Sequence, residues 1–311
     1  MRCESLQRTV SRLFRNVLRF NSLETDKMIS LEGMYDLHMH PAPSIQKRKF
    51  TALESVRLGS EEKMGGLLFL DHTYNTTMMA HTINELGLTT KSFGVVMLNE
   101  AVGGLNPSVV EIALALGTKQ IQMPTYSSRN HQAMYGDDQK IFPYKKRVKP
   151  YYILDDHGRL LPEVEEILEL IKGTNAHIGC GHLSVPEVDV LVKRAREQGC
   201  RVLANAVSTD MPDHPVDAQK RWADQGVFIE HAYMAITEVP HVTVPVERIV
   251  EQIRTVGTER CVLGTDSGNM RLPDNVTALR NIVERLMEAG ITEHEIDRMT
   301  RVNPPAVLGI S

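Results

Sequence analysis

The chain has 311 residues, 42% of them hydrophobic and 24% charged, with a formal net charge of -4. This is globular composition, and its slightly acidic balance supplies no field that would recruit nucleic acid or a membrane surface. No apolar run approaches the roughly 20 residues that span a bilayer. Cys3, Cys180, Cys200 and Cys261 stand singly, which fits reduced thiols in a cytoplasmic protein better than a disulfide scaffold.

In chain order, residues 1–33 come first. Arg2, Arg8, Arg12, Arg15 and Arg19 interleave there with Leu6, Val10, Leu13, Val17, Leu18 and Phe20. The apolar positions recur at helical spacing and predict a basic amphipathic helix, an N-terminal extension that packs on the body or on another subunit of a homo-oligomer. A transit peptide is the other reading, against which Glu4 stands. From residue 34 to 311 a single pattern repeats. Short runs rich in Val, Ile and Leu predict strands at 34–40, 66–72, 92–98, 119–124, 176–182, 201–207, 227–233 and 261–266. Apolar residues at helical spacing lie between them, as at 164–172, 185–198, 246–256 and 277–289, and Gly87, Gly117, Gly199 and Gly226 sit as helix stops. Eight strand–helix units in succession predict an α/β fold, a (β/α)8 TIM barrel, with a doubly wound sheet as the alternative. One connection, 126–161 after the fourth strand, is long and carries a turn signal at Asp156-His157-Gly158. It predicts a loop containing a β-hairpin that covers the C-terminal mouth of the barrel.

Ionisable residues collect at the predicted strand ends. His38 and His40 close the first strand, and residues two apart on a strand point the same way, so both project into the mouth. Two neutral imidazoles there suit zinc or a similar divalent ion. Asp71 and His72 end the second strand, His182 the fifth, Glu230 and His231 the seventh, and Asp266 the eighth. His182 and Asp266 are candidate ligands. His72, Glu230 and His231 are candidates for ligation or for orienting a ligand through a hydrogen bond.

DLHMHP (36–41), GHLS (181–184), GTDSG (264–268) and NPPAVLGI (303–310) together resemble the amidohydrolase superfamily of metal-dependent TIM-barrel hydrolases. LNEAVGGLNPSVVE (98–111), MPTYSSRNH (123–131) and GRLLPEV (158–164) are similar to a poorly characterised branch of it. The resemblance implies that His38 and His40 bind the more buried metal, that His182 is a further ligand, and that Asp266 both ligates and takes a proton from the attacking water. Two departures stand out. The superfamily's carboxylated lysine on the fourth strand has no counterpart beyond Lys119 at the wrong end, and Ala204-Asn205-Ala206 replaces its sixth-strand histidine. One metal on His38, His40, His182 and Asp266 is therefore expected, zinc first, with manganese or iron as other choices. A second metal using His72, Asp71 or Glu230 stays open.

The expected activity is hydrolysis of a small anionic amide, cyclic amide, ester or lactone, with Asp266 as general base and His231 as a donor to the developing oxyanion. Arg48, Arg129 and His131 are the candidate substrate-binding residues, since guanidinium groups clamp carboxylates. The alternatives are a metal-dependent decarboxylase on the same barrel, a phosphoesterase that also begins with His-x-His, and a binding protein that keeps the fold without catalysis. Nothing predicts a nucleic-acid partner.

Overall fold

Eight aliphatic runs of three to seven residues cannot bury themselves as helices, but they can do so as strands covered on both faces. In a computed structural model that describes residues 29–136, 148–239 and 243–310, they form one parallel sheet. The strands are β1 Tyr35–Met39, β2 Gly66–Phe69, β3 Lys91–Met97, β4 Gln120–Gln122, β5 His177–Gly179, β6 Arg201–Ala204, β7 Phe228–Ala232 and β8 Cys261–Gly264, neighbouring one another in chain order. The (β/α)8 barrel expected from the sequence is the fold. The unit that carries it runs from Leu31 to Ser311. The amphipathic helix expected within residues 1–20 lies outside the described residues, as do Cys3, Lys145 and Lys146.

Helices follow the strands: α1 Ala52–Glu61, α2 Thr77–Asn84, α3 Pro107–Ala115, α4 Arg129–Tyr135, α5 Pro162–Ile171, α6 Val185–Glu197, α7 Val216–Asp224, α8 Val246–Val256, α9 Asn275–Glu288, α10 Glu293–Asp297 and α11 Asn303–Leu308. Thr51 and Glu54 form a capping box on α1, and Ser184 and Glu187 form one on α6. The four glycines expected as helix stops all take positive φ. No described helix is long and apolar enough to cross a membrane.

The seam between β8 and β1 is closed by side chain as well as backbone. Asp36, fully buried, accepts from the Thr265 amide at 2.9 Å and from the Thr265 hydroxyl at 2.6 Å. The Asp266 amide donates to the His38 carbonyl at 2.7 Å, and the His40 amide to the Ser267 carbonyl at 2.8 Å. At the end of the barrel where the strands begin, α11 packs Val307 and Leu308 against Leu37, Leu68, Val95, Leu203 and Val262. Asn303 anchors it by donating to the carbonyls of Thr258 at 2.8 Å and Cys261 at 2.7 Å. The terminal NPPAVLGI segment is thus a core element rather than a tail.

The long connection after β4 holds more than the expected hairpin. The hairpin is present in minimal form, with Leu154 and Leu160 bridged antiparallel and the Asp155 amide donating to the Arg159 carbonyl at 2.8 Å. It packs toward α6, where the Ile153 amide donates to Glu187 at 3.2 Å, and none of its residues lines the mouth cavity. Among the described residues, the part of the connection that reaches the mouth is α4. Ser128 caps it, accepting from the His131 amide at 3.0 Å.

Three histidines outside the mouth cavity are buried as neutral rings. Desolvation pushes His177 and His231 down to about 3 and His214 to about 4. In the unfolded chain each titrates near about 6.5. Between those values the unfolded state binds more protons, so stability is full above that pH and is lost as pH falls, by about 1.4 kcal/mol per pH unit for each ring. Four rings of the cavity, His40, His72, His131 and His182, act in the same direction, while His38 and the raised carboxyls of Asp36 and Asp266 oppose them. Denaturant unfolding is expected to shift to clearly lower denaturant between pH 7.5 and 5.5. An unchanged midpoint contradicts this burial account.

Candidate active site

His38 and His40 face the mouth from the end of β1, beyond a shift in its register that follows Asp36. Asp36 is consumed by the seam, and the two imidazoles stand above it at the C-terminal mouth. His38 Nδ1 lies 3.0 Å from Glu230 Oε1. A carboxylate only accepts, so this ring nitrogen carries a hydrogen and donates. Glu230 reaches His38 from β7 across β8 because Gly264 stands between them. A Cβ at position 264 would sit 2.2 Å from Glu230 Oε1 and 2.9 Å from the His38 Cβ. The other oxygen, Glu230 Oε2, accepts from Asn205 Nδ2 at 3.1 Å and the Ala206 amide at 3.2 Å. Burial alone would lower the His38 pKa, but Glu230 and Asp266 outweigh it and raise the ring to about 9.

His38 Nε2 lies 3.6 Å from Asp266 Oδ1, and His40 Nε2 lies 3.4 Å from the same oxygen. Donor atoms of the three residues lie within 4.8 Å of one another. Asp266 holds a left-handed φ of 53° just beyond β8, an unusual backbone state that points its carboxylate at both rings. Burial raises its pKa, opposed by the charges of His38 and Arg48. His40 is held well below the ordinary histidine range by burial, then by the Arg48 and His38 charges. Its Nδ1 is buried and has no partner among the described residues.

These groups open into a cavity of about 660 Å³ that is also lined by His72, His131, His182, Arg48, Gln122 and Asn205. His72 stacks on His40 at 4.9 Å and places Nδ1 3.0 Å from the Thr125 hydroxyl. His182 stacks on His131 at 5.0 Å, with the two Nδ1 atoms 2.9 Å apart. Burial keeps both rings neutral, His131 at about 4. One Nδ1 of the pair must therefore donate and the other accept. His182 is thus in the cavity but outside the tight cluster of His38, His40 and Asp266.

Arg48 lies on the loop after β1 and reaches the cavity with its Nε and Nη2 buried and without partners among the described residues. Asp71 and Asp266 act on it electrostatically. Lys49 is tied elsewhere, donating to the Leu272 carbonyl at 2.9 Å.

Three expected site residues do not line the cavity: Glu230, which holds His38 instead, Arg129 and His231. Arg129 is exposed, its guanidinium 5.1 Å from the Tyr152 ring centre. His231 faces away because Glu230, its neighbour on β7, takes the inward position, and adjacent strand residues point to opposite faces. It is buried beside Ser208, at 3.4 Å from that hydroxyl. Asp71 spends one oxygen on Thr73, accepting from its amide at 2.8 Å. The residues the sequence reading passed over are Asp36, Asn205 and Gln122. Parity does not find the first, because the register of β1 shifts just after it. At β4 the residue lining the cavity is the amide Gln122 where the superfamily resemblance looks for lysine, and at β6 Asn205 supports Glu230.

Solved structures share the fold. An amidohydrolase from Pseudomonas aeruginosa has a TM-score of 0.62 at 12% identity, over 89% of this chain and 95% of that one. A dipeptidase described as a metallopeptidase has a TM-score of 0.57 at 9% identity, over 90% and 99%. A 2,6-dihydroxybenzoate decarboxylase, solved with 2,6-dihydroxybenzoate, has a TM-score of 0.51 at 10% identity, over 90% and 100%. At these identities the likeness is one of fold, that of the amidohydrolases. No curated protein sequence matches the chain. A family model described as a family of unknown function, DUF6282, matches residues 33–230, from just before β1 through Glu230 and so including His38, His40, His131 and His182. That span is well over half of the sequence, and the chain belongs to this family.

Proposed function

We propose that the protein is a metal-dependent hydrolase of a small anionic substrate, an amide, cyclic amide, ester or lactone, and that His38, His40 and Asp266, with His182, hold its divalent cation. The observation that carries this reading is the convergence of two imidazole Nε2 atoms on one Asp266 oxygen at the mouth of a barrel cavity. The donor set fits a cation. Glu230 commits His38 Nδ1 as donor, which leaves Nε2 as the ligating nitrogen, and His40 turns its own Nε2 to the same Asp266 oxygen. Zinc suits two or three imidazoles and a carboxylate, and manganese or iron are the other choices.

A cation held there would lower the pKa of a water toward neutrality and polarise the bond to be cleaved. The rest is work for the chain itself. Asp266, at the junction of the two rings, accepts the proton of the attacking water and passes it to the leaving group. Its burial raises its proton affinity toward that task. Glu230 keeps His38 in one tautomer and one orientation. If His182 ligates through Nε2, its Nδ1 carries the hydrogen and donates to His131, so His131 is read as its positioning partner. Arg48 brings a guanidinium with spare donors to a cavity whose remaining rings, His38 apart, are neutral, which suits a carboxylate on the substrate.

The test is a screen of N-acyl amino acids, cyclic amides and lactones with the zinc-loaded protein. Hydrolysis is expected that stops on chelation and returns with metal. Cleavage that survives metal removal contradicts the reading. On the substrate so found, Arg48→Met is expected to raise KM about tenfold or more with a smaller change in kcat, as loss of a charged hydrogen bond implies. An unchanged KM removes Arg48 from the site. One observation favours decarboxylation as the second reading. Gln122 and Asn205 stand where a two-metal centre would need ligands, and a decarboxylase shares the fold. Release of carbon dioxide from an aromatic or unsaturated acid separates the two.

A further inference from the structure

Behind the cavity, inside the barrel, runs a line of amides that the reading above does not use. Gln120 and Gln122 are two apart on β4 and share a face. His177 on β5 is the register partner of Gln120. His177 Nε2 lies 2.7 Å from Gln120 Oε1, and Gln120 Nε2 donates to Gln122 Oε1. Room for the line comes from Gly179, the register partner of Gln122. A Cβ there would sit 2.9 Å from Gln120 Nε2 and 2.7 Å from Asn205 Oδ1. His177, Gln120 and Gln122 are all buried.

The polarity of this line follows from Gln120, whose amide oxygen faces the ring 2.7 Å from His177 Nε2. A carbonyl oxygen only accepts, so the ring hydrogen belongs on Nε2. Gln120 then has only its amino group to offer forward, and Gln122 must accept it with Oε1. The amino group of Gln122 is left over. It makes no hydrogen bond among the described residues, is not sealed from solvent, and belongs to a cavity-lining residue.

We propose that Gln122 is a substrate-binding residue whose amino group is committed to donating, and that the ligand meets it with an acceptor oxygen, that of a carbonyl or carboxylate. Gln120 and His177 are positioning residues that prevent the amide from turning over. An uncommitted glutamine serves donors and acceptors alike, whereas this one discriminates against a ligand that presents N–H at that point. The inference rests on reading the cavity as a substrate site.

The test uses the full-length, zinc-loaded protein and acetate as the smallest carboxylate. Nitrogen-15 NMR of the histidine rings is expected to show His177 as the Nε2–H tautomer, and the Gln122 side-chain amide signal is expected to move as acetate is added. Gln122→Glu turns an accepting oxygen toward the cavity and is expected to weaken acetate binding about tenfold or more, with zinc content equal to wild type. An Nδ1–H tautomer at His177, a Gln122 signal indifferent to acetate, or unchanged acetate affinity in a folded Gln122→Glu protein overturns the proposal. If Gln122→Glu does not fold, the two wild-type signals decide. Protein that takes up no zinc fails the functional reading instead, and the His177 tautomer still tests the line itself.

Discussion

Asp266→Asn is expected to cost roughly 10²- to 10⁴-fold in kcat, the range for removing a positioned general base, while the protein stays folded. The two effects separate because Asp266 does two things. Its backbone amide closes the seam by donating to the His38 carbonyl at 2.7 Å, and asparagine keeps that bond. Asparagine also tolerates the left-handed backbone at this position, where φ is 53°. What is lost is the carboxylate charge at the group that stands 3.4 Å from His40 Nε2 and 3.6 Å from His38 Nε2, with its capacity to take a proton. The check is kcat on the substrate found by screening, beside a thermal melt. Retained turnover in a folded Asp266→Asn protein removes the general-base assignment.

The second large effect belongs to Glu230, which bonds His38 Nδ1 and on the proposed reading supports that ligand rather than ligating. Glu230→Gln is expected to weaken metal affinity roughly 10- to 100-fold, the usual cost of losing such a support. Glu230→Ala goes further. It strands a buried His38 Nδ1–H, the Asn205 amide and the Ala206 N–H together, for which about 3–5 kcal/mol of lost stability is expected. The control is the adjacent residue. His231→Gln alters a ring on the other face of β7, beside Ser208, and is expected to leave metal affinity unchanged. Competition with a chromophoric chelator measures the two glutamine variants, and denaturant unfolding measures Glu230→Ala. Equal loss in Glu230→Gln and His231→Gln contradicts the division between them.

That division also shows how far the sequence could be read. Eight short aliphatic runs with glycine stops predict strands covered on both faces, and eight strand–helix units in succession point to a closed barrel rather than an open sheet. His38 and His40 were legible by their period of two. The same rule applied to β7 permits either Glu230 or His231 at the mouth, not both, and the nearer neighbour of His38 is Glu230. Beyond a strand's last residue the rule lapses. Asp71 and His72 follow β2, which ends at Phe69, and their directions depend on turn hydrogen bonds and on stacking with His40. Arg48 and Arg129 are both loop-borne guanidinium groups, yet one reaches the cavity and the other lies on Tyr152. No periodicity separates them. α4 was missed for a different reason. It is seven residues long, too short for an apolar repeat, and its one signal is the capping Ser128. Asp36 was hidden by the shift in register that follows it, and a lone acid or a lone amide such as Gln122 carries no signature until the neighbouring strands are in place.

The central claim is a cation at His38, His40 and Asp266, and elemental analysis tests it most directly. Wild-type protein, His38→Ala and Asp266→Ala are purified together and reconstituted with zinc, manganese or iron. The account predicts about one ion per chain in the wild type, as expected of a single site with protein ligands, and its loss in both variants. No stoichiometric metal in the wild type after reconstitution, or full retention in His38→Ala, contradicts it and leaves the histidines as structural groups of a binding cavity.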